Sequence, residues 1–245
     1  MVLSIGAVVL VAAFFVPPIP QDPAYHGFVD SRPFLGIANF GDVASNIPFL
    51  LVGLLGLVYL AKGHARRSGP LDSAFFVYFV GVGLVAFGSV YYHFNPNNET
   101  LFWDRLPMSI AFMALFSAFI ADRIQERVGR LLLVPLVAVG LASVIYWHVS
   151  EQAGAGDLRF YGVVQFFPMV ALPLICVLFR PRRLDGRYVA AMIGCYALAK
   201  VFEFFDHAIF EILGQTVSGH SLKHLAAAVA AYLALPMLKQ GLRGA

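Results

Sequence analysis

Charge is what this sequence has least of. Asp, Glu, Lys and Arg make up 13% of its 245 residues and apolar residues 60%, against roughly a quarter and a half in soluble domains. That balance excludes an ordinary water-facing surface, and a mean hydropathy of +0.77 points to a bilayer. Cysteine is almost missing as well. Cys176 and Cys195 both fall in apolar stretches, which excludes a disulfide framework and leaves two small buried hydrophobes. The net charge is only +3, and no nucleic-acid partner is expected. Internal repeats and low-complexity tails are absent, and a chain of this length with several spans leaves no room for a separate soluble domain.

What the sequence does have is long apolar runs. A span needs about 20 largely apolar residues to cross roughly 30 Å of hydrocarbon. Eight candidates occur, at about 2–17, 43–61, 73–93, 106–121, 131–148, 160–179, 188–206 and 221–238. The first ends at Pro17-Pro18 and is short. It lacks the basic flank and small-residue cleavage site of a signal peptide, so an uncleaved helix is the favoured reading and a cleaved leader the alternative. Residues 1–20 therefore read as an extra N-terminal transmembrane segment and 21–245 as one membrane domain. The fold class is all-α, a polytopic transmembrane helical bundle.

The connections sort by charge. Lys62, Arg66 and Arg67 share one loop, and Arg123, Arg127 and Arg130 another. Arg180, Arg182, Arg183 and Arg187 occupy a third, and Lys239 and Arg243 the C-terminal tail. If every candidate crosses, all of these lie on one side, and the positive-inside rule makes it cytoplasmic. The longer connections then face outward, and the C-terminus is cytoplasmic. The expected location is an inner bacterial membrane.

Ionisable groups near membrane helices are costly, so each needs a reason. Ser89-Val90-Tyr91-Tyr92-His93 closes the third span, with Ser89 and His93 on one helix face. Trp103-Asp104-Arg105 opens the fourth span, where a carboxylate could simply favour the helix N-terminus. His220-Ser221-Leu222-Lys223-His224 opens the eighth. Two imidazoles four residues apart can reach one metal, as in the H-E-x-x-H zincins. By topology, all three groups arrive at the same membrane face. The bland alternative is a set of interfacial histidines bonded to loops and headgroups.

Three neutral imidazoles plus a water make an open, catalytic type of zinc site, although nitrogen and oxygen ligands admit other transition metals. Such a metal lowers the pKa of its water toward 7 and polarises a carbonyl. Asp104 would be the general base, and Ser89 would donate to the oxyanion or orient a ligand. Lys200, Glu203 and Asp206 recur every three residues on the seventh span and read mainly as paired helix-end charges, with a headgroup-binding role as the alternative. His148 ends the fifth span at the same face, and His26, His64 and His207 show no pattern.

The Ser-x-x-x-His block, the Asp eleven residues beyond that His, and the His-x-x-x-His block on the last span resemble the alkaline ceramidase family. That family belongs to a superfamily of seven-span metal-dependent hydrolases and receptors. Asn39-Phe40-Gly41-Asp42-Val43-Ala44-Ser45-Asn46 and Trp103-Asp104-Arg105-Leu106-Pro107-Met108 look like its bacterial members, and the likeness covers about 25–238. It implies a seven-helix core, to which segment 2–17 is extra, and zinc on His93, His220 and His224. It implies Asp104 as proton shuttle, Ser89 as oxyanion stabiliser, and a ceramide or similar N-acyl lipid cut to an amine and a fatty acid. Eukaryotic members also carry an acidic calcium loop. Here the region offers Asp30, Asn39, Asp42 and Asn46 without the acidic run, which puts calcium in doubt. A metal-bearing receptor or sensor is the second functional reading. A transporter is the weakest, because the polar residues gather at one face instead of stringing through the bilayer.

Overall fold

The computed structural model describes residues 2–63 and 70–243. Arg66 and Arg67 of the first basic loop lie outside the described residues, as does His64. Among the described residues the regular elements are helices: α1 (Val2–Ala13), a single 3-10 turn (Pro23–His26), α2 (Phe40–Ala44), α3 (Ile47–Gly63), α4 (Pro70–Phe94) and α5 (Asn98–Arg123). There follow α6 (Glu126–Gln152), α7 (Arg159–Leu178), α8 (Gly186–Phe204), α9 (Asp206–Ile212), α10 (Gly219–Tyr232) and α11 (Ala234–Arg243). No strand forms among the described residues. A lone bridge between Phe34 and Ile37 closes a tight turn.

Helices are the form in which a chain can satisfy its backbone inside hydrocarbon without closing a barrel. Among the described residues six are long and apolar enough to cross, with α2–α3 and α10–α11 each counting as one span. A seventh crossing requires α8 and α9 together, and these meet at an 80° bend. The apolar run at 2–17 yields a helix of only 12 residues. At 1.5 Å per residue that is about 18 Å, short of the roughly 30 Å hydrocarbon layer. The run is cut by a turn at Phe14–Val16 and then by the two prolines.

The most buried span is α5, with α4, α6 and α7 against it, while α10 packs on α8 and α3. Its start is fixed by a reciprocal cap in which the Asn97 side chain accepts the Thr100 N–H and Thr100 accepts the Asn97 N–H. Phe75, Phe79, Phe116, Phe119 and Ile120 fill the centre. Val134 and Val177, 74% and 82% exposed, point the other way, as side chains facing lipid tails should.

The two ends of the bundle differ in chemistry. At one, buried Arg123 pairs with Asp122 at 3.1 Å and donates to the carbonyls of Phe179 and Leu184. Asp122 accepts the N–H of Arg183 at 2.8 Å. The basic end of α5 is thereby knitted to the basic α7–α8 loop. At the other end lie the last turn of α4 and the first turns of α5 and α10. Segment 18–39 folds over them, with Tyr25 and Phe28 packed on Tyr92, Trp147 and Tyr161.

Without a hydrophobic drive between helices in lipid, close contact depends on small residues. Gly88 is one such residue. A Cβ there would lie 2.1 Å from the Trp103 carbonyl oxygen and 3.2 Å from Asp104 Cα. Gly88→Ala must therefore push α4 off α5 at the level of Ser89 and Asp104. Overpacking of this kind costs about 1–3 kcal/mol, read as a lower apparent melting temperature in detergent. An unchanged melting temperature would contradict that packing.

Candidate metal centre

Ser218 caps α10, its hydroxyl accepting the Ser221 N–H at 2.9 Å. The helix that follows places His220 and His224 one turn apart on the same face. Gly219 lets this turn press against the α8–α9 bend, since a Cβ there would sit 2.3 Å from the Phe202 carbonyl oxygen. Asp206, the first residue of α9, accepts the His220 N–H at 2.8 Å. Asp42, on α2, accepts the hydroxyls of Ser218 at 3.0 Å and Ser221 at 2.7 Å through one oxygen. Two carboxylates therefore hold the helix start in place.

His93, in the last turn of α4, meets this pair. One ring nitrogen from each of His93, His220 and His224 lies within 4.8 Å of the other two, and all three residues are buried. The rings sit 4.8–4.9 Å apart by centroid. Phe28 covers His93 and His220 at 4.6 and 4.5 Å. Asn39, in the left-handed region at φ 48°, donates from Nδ2 to the His93 carbonyl.

Three observations fit the cluster to a cation. His93 Nδ1 is buried with no hydrogen-bond partner, a cost that coordination removes. Ser45 donates its hydroxyl proton to the Asp42 carbonyl at 2.9 Å and so accepts Nδ1–H of His224 at 2.8 Å. That leaves the Nε2 lone pair of His224 for a metal, the usual outer-shell device for orienting a ligating imidazole. Lys223 donates to His220 Nε2 at 3.2 Å, so that nitrogen carries a lone pair too. The lone pair can pass to a cation while Lys223 keeps its 2.8 Å bond to Glu203. Neutral imidazoles suit zinc and its transition-metal neighbours. No other set of three or more His, Cys, Asp or Glu side chains close enough to hold a metal occurs among the described residues.

Ser89, Asp104 and His224 open onto one cavity of about 270 Å³. The Ser89 hydroxyl neighbours the Asp104 carboxylate. Beyond this polar end the walls are apolar, with Phe112, Leu172 and Ile193 among them.

Other predicted positions fall differently. Lys200 and Glu203 pair at 2.5 Å as expected of helix-end charges, yet they also line the cavity. Glu203 in addition accepts from Lys223 and from the Tyr25 hydroxyl. His148 lies on Phe102 and against Gln152, away from the cavity. His26 bridges Tyr92 and Asn98 at 2.9 Å each. Of the residues weighed for calcium, Asp30 is engaged by Arg32 through both oxygens at 2.7 Å, and that guanidinium holds its carboxyl below the usual range. Asn39 and Asn46 donate to backbone carbonyls. Sequence reading assigned no role to Ser45, Lys223 or Tyr25. Lys223 lies three residues from His220, but nothing in the pattern shows which way its side chain turns.

The fold and this cluster define a class: a polytopic helical membrane protein with a buried three-histidine site, able to hold a metal ion, beside an apolar cavity. The family model for ceramidases matches residues 35–241, and the chain belongs to the ceramidase family. That membership implies a hydrolase of amide bonds acting on a lipid. No curated protein matches the chain.

The Ser45 bond to His224 generates a prediction. Ser45→Ala should weaken zinc binding about 10- to 100-fold, measured by competition with a chromophoric chelator. Unchanged affinity would mean that the bond does not orient the imidazole.

Proposed function

We propose that the protein is a zinc-dependent intramembrane amidase that hydrolyses a ceramide or a similar N-acyl lipid, releasing a sphingoid base or other amine and a fatty acid. The observation that carries this reading is the meeting of His224, Asp104 and Ser89 on the wall of one apolar cavity. Zinc on His93, His220 and His224 would supply a Lewis acid that polarises the amide carbonyl and acidifies a water.

The rest falls to the chain's own side chains. Asp104 accepts a proton from the attacking water and returns it to the amide nitrogen as the C–N bond breaks. Ser89 donates a hydrogen bond to the carbonyl oxygen as negative charge builds there. The apolar walls receive the hydrocarbon chains and keep bulk water away. Tyr25, Lys200, Glu203 and Lys223 form a polar rim that suits the hydroxyls and amide of a sphingoid headgroup. A receptor with a purely structural metal has no use for a carboxylate on the cavity wall. The knitted basic end would face the cytoplasm by the positive-inside rule, placing the histidine cluster toward the outer leaflet, where lipid tails enter without crossing water.

Asp104→Asn should keep the metal and lower hydrolysis by about 10²- to 10⁴-fold, the range of general acid–base catalysis. His220→Ala should lose both metal and turnover. Metal content by mass spectrometry, read beside fatty-acid release, separates the two, and full turnover by Asp104→Asn protein would sink the proton-shuttle role.

A further inference from the structure

Arg105 follows Asp104 on α5 and is 7% exposed. Among the described residues it has no carboxylate within ion-pairing distance. Its Nη2 donates to Gln21 Oε1 at 2.6 Å, and its Nη1 is buried with no acceptor. The guanidinium lies over the rings of Trp147 at 4.3 Å, Tyr161 at 5.0 Å and Tyr25 at 5.7 Å. The neighbouring cations each touch a carboxylate. Lys200 and Lys223 share Glu203, and Arg159 has Asp157. A buried charge with no carboxylate in direct contact is expensive, and in a membrane helix it points to a functional site.

Its position indicates which ligand. Arg105 borders the cavity that holds Asp104 and also a second cavity of about 620 Å³ between α1 and α7, within the roughly 300–1,000 Å³ of small-molecule pockets. The walls of this groove are apolar, with Ile5 and Val9 from α1 facing Phe166, Phe167 and Val170 from α7. The chain after α1 is tied down where Arg159 donates to the carbonyls of Phe14 and Val16, and where Leu158 N–H donates to the Ile19 carbonyl at 2.8 Å. The α1 wall of the groove thus comes from residues before the ceramidase match begins at residue 35.

We infer that Arg105 and the α1–α7 groove form a binding site for a long-chain carboxylate, with the head on the guanidinium and the chain between the two helices. An anion supplies the charge that Arg105 lacks, whereas the amine product would be repelled. The inference rests on the amidase reading only for the source of the ligand, the fatty acid released beside Asp104. The groove would then be the route by which that product is held or leaves.

The test is equilibrium binding to the purified full-length protein in nanodiscs, without turnover. The probes are 11-(dansylamino)undecanoic acid and its methyl ester. Wild-type protein should bind the acid at least about tenfold more tightly than the ester, as a charge-assisted bond to a buried group provides. Arg105→Gln should abolish that preference. Because Arg105 also packs on three rings, a second variant guards against misfolding. Gly162 borders the groove, and a Cβ there meets nothing within 4 Å, so Gly162→Leu should fold, keep its metal and lose acid binding by filling the space. Equal affinity of wild-type protein for acid and ester would overturn the site and leave the groove to ordinary lipid tails. Unaltered acid binding in either variant would overturn it as well. Acid-selective binding in a protein without amidase activity would support the site and sink the amidase reading instead.

Discussion

One buried carboxylate holds the histidine cluster together. Asp42 is wholly excluded from solvent, and its side chain accepts the two serine hydroxyls that begin α10. Its carbonyl accepts Ser45 and Asn46, and Ser45 in turn takes the Nδ1 proton of His224. Burying such a group is costly unless it is hydrogen-bonded, and here Oδ1 alone is bonded while Oδ2 has no partner. Here those bonds fix where α10 starts and, through Ser45, which way His224 turns, while Asn39 ties the start of α2 to α4 at the His93 carbonyl. Asp206 does the same from the opposite side, through the His220 N–H.

The bilayer explains why the polar groups are gathered this way. A polar group within hydrocarbon must find its partner inside the protein. The chain gathers the hydrogen-bonded side chains of the site at one end of the bundle, knits Arg123 and Asp122 to the α7–α8 loop at the other, and fills the centre largely with phenylalanine. Gly88 and Gly219 allow backbones to approach where the site needs it. The cavity therefore opens between helices that touch closely at the histidine end and part below it.

Much of this was legible in the sequence. Apolar run lengths located the helices, and the i, i+4 spacing of His220 and His224 put them on one face. Charge asymmetry brought His93 and Asp104 to the same end. The 80° bend between α8 and α9 was not legible, because a span read to end at 206 shows where the helix stops and not which way the chain then turns. Its consequence, Asp206 at the base of α10, depends on where the chain turns. The roles of Ser45, Lys223 and Tyr25 were hidden for a related reason. Spacing assigns a residue to a helix face, whereas a pairing such as Ser45 with His224 is set by how two distant helices pack. The short α1 shows the limit of hydropathy, since an apolar run need not stay helical to its end.

Membership of the ceramidase family, the buried imidazoles and the carboxylate on the same cavity support the proposal of metal-dependent amide hydrolysis. The most direct test incubates purified protein with ceramides and other N-acyl lipids, with chelator and after zinc is restored, while counting metal per chain and fatty acid released. The account predicts one zinc per chain, release that stops with chelation, and recovery when zinc returns. Release indifferent to the chelator, or fully active protein free of metal, would contradict it.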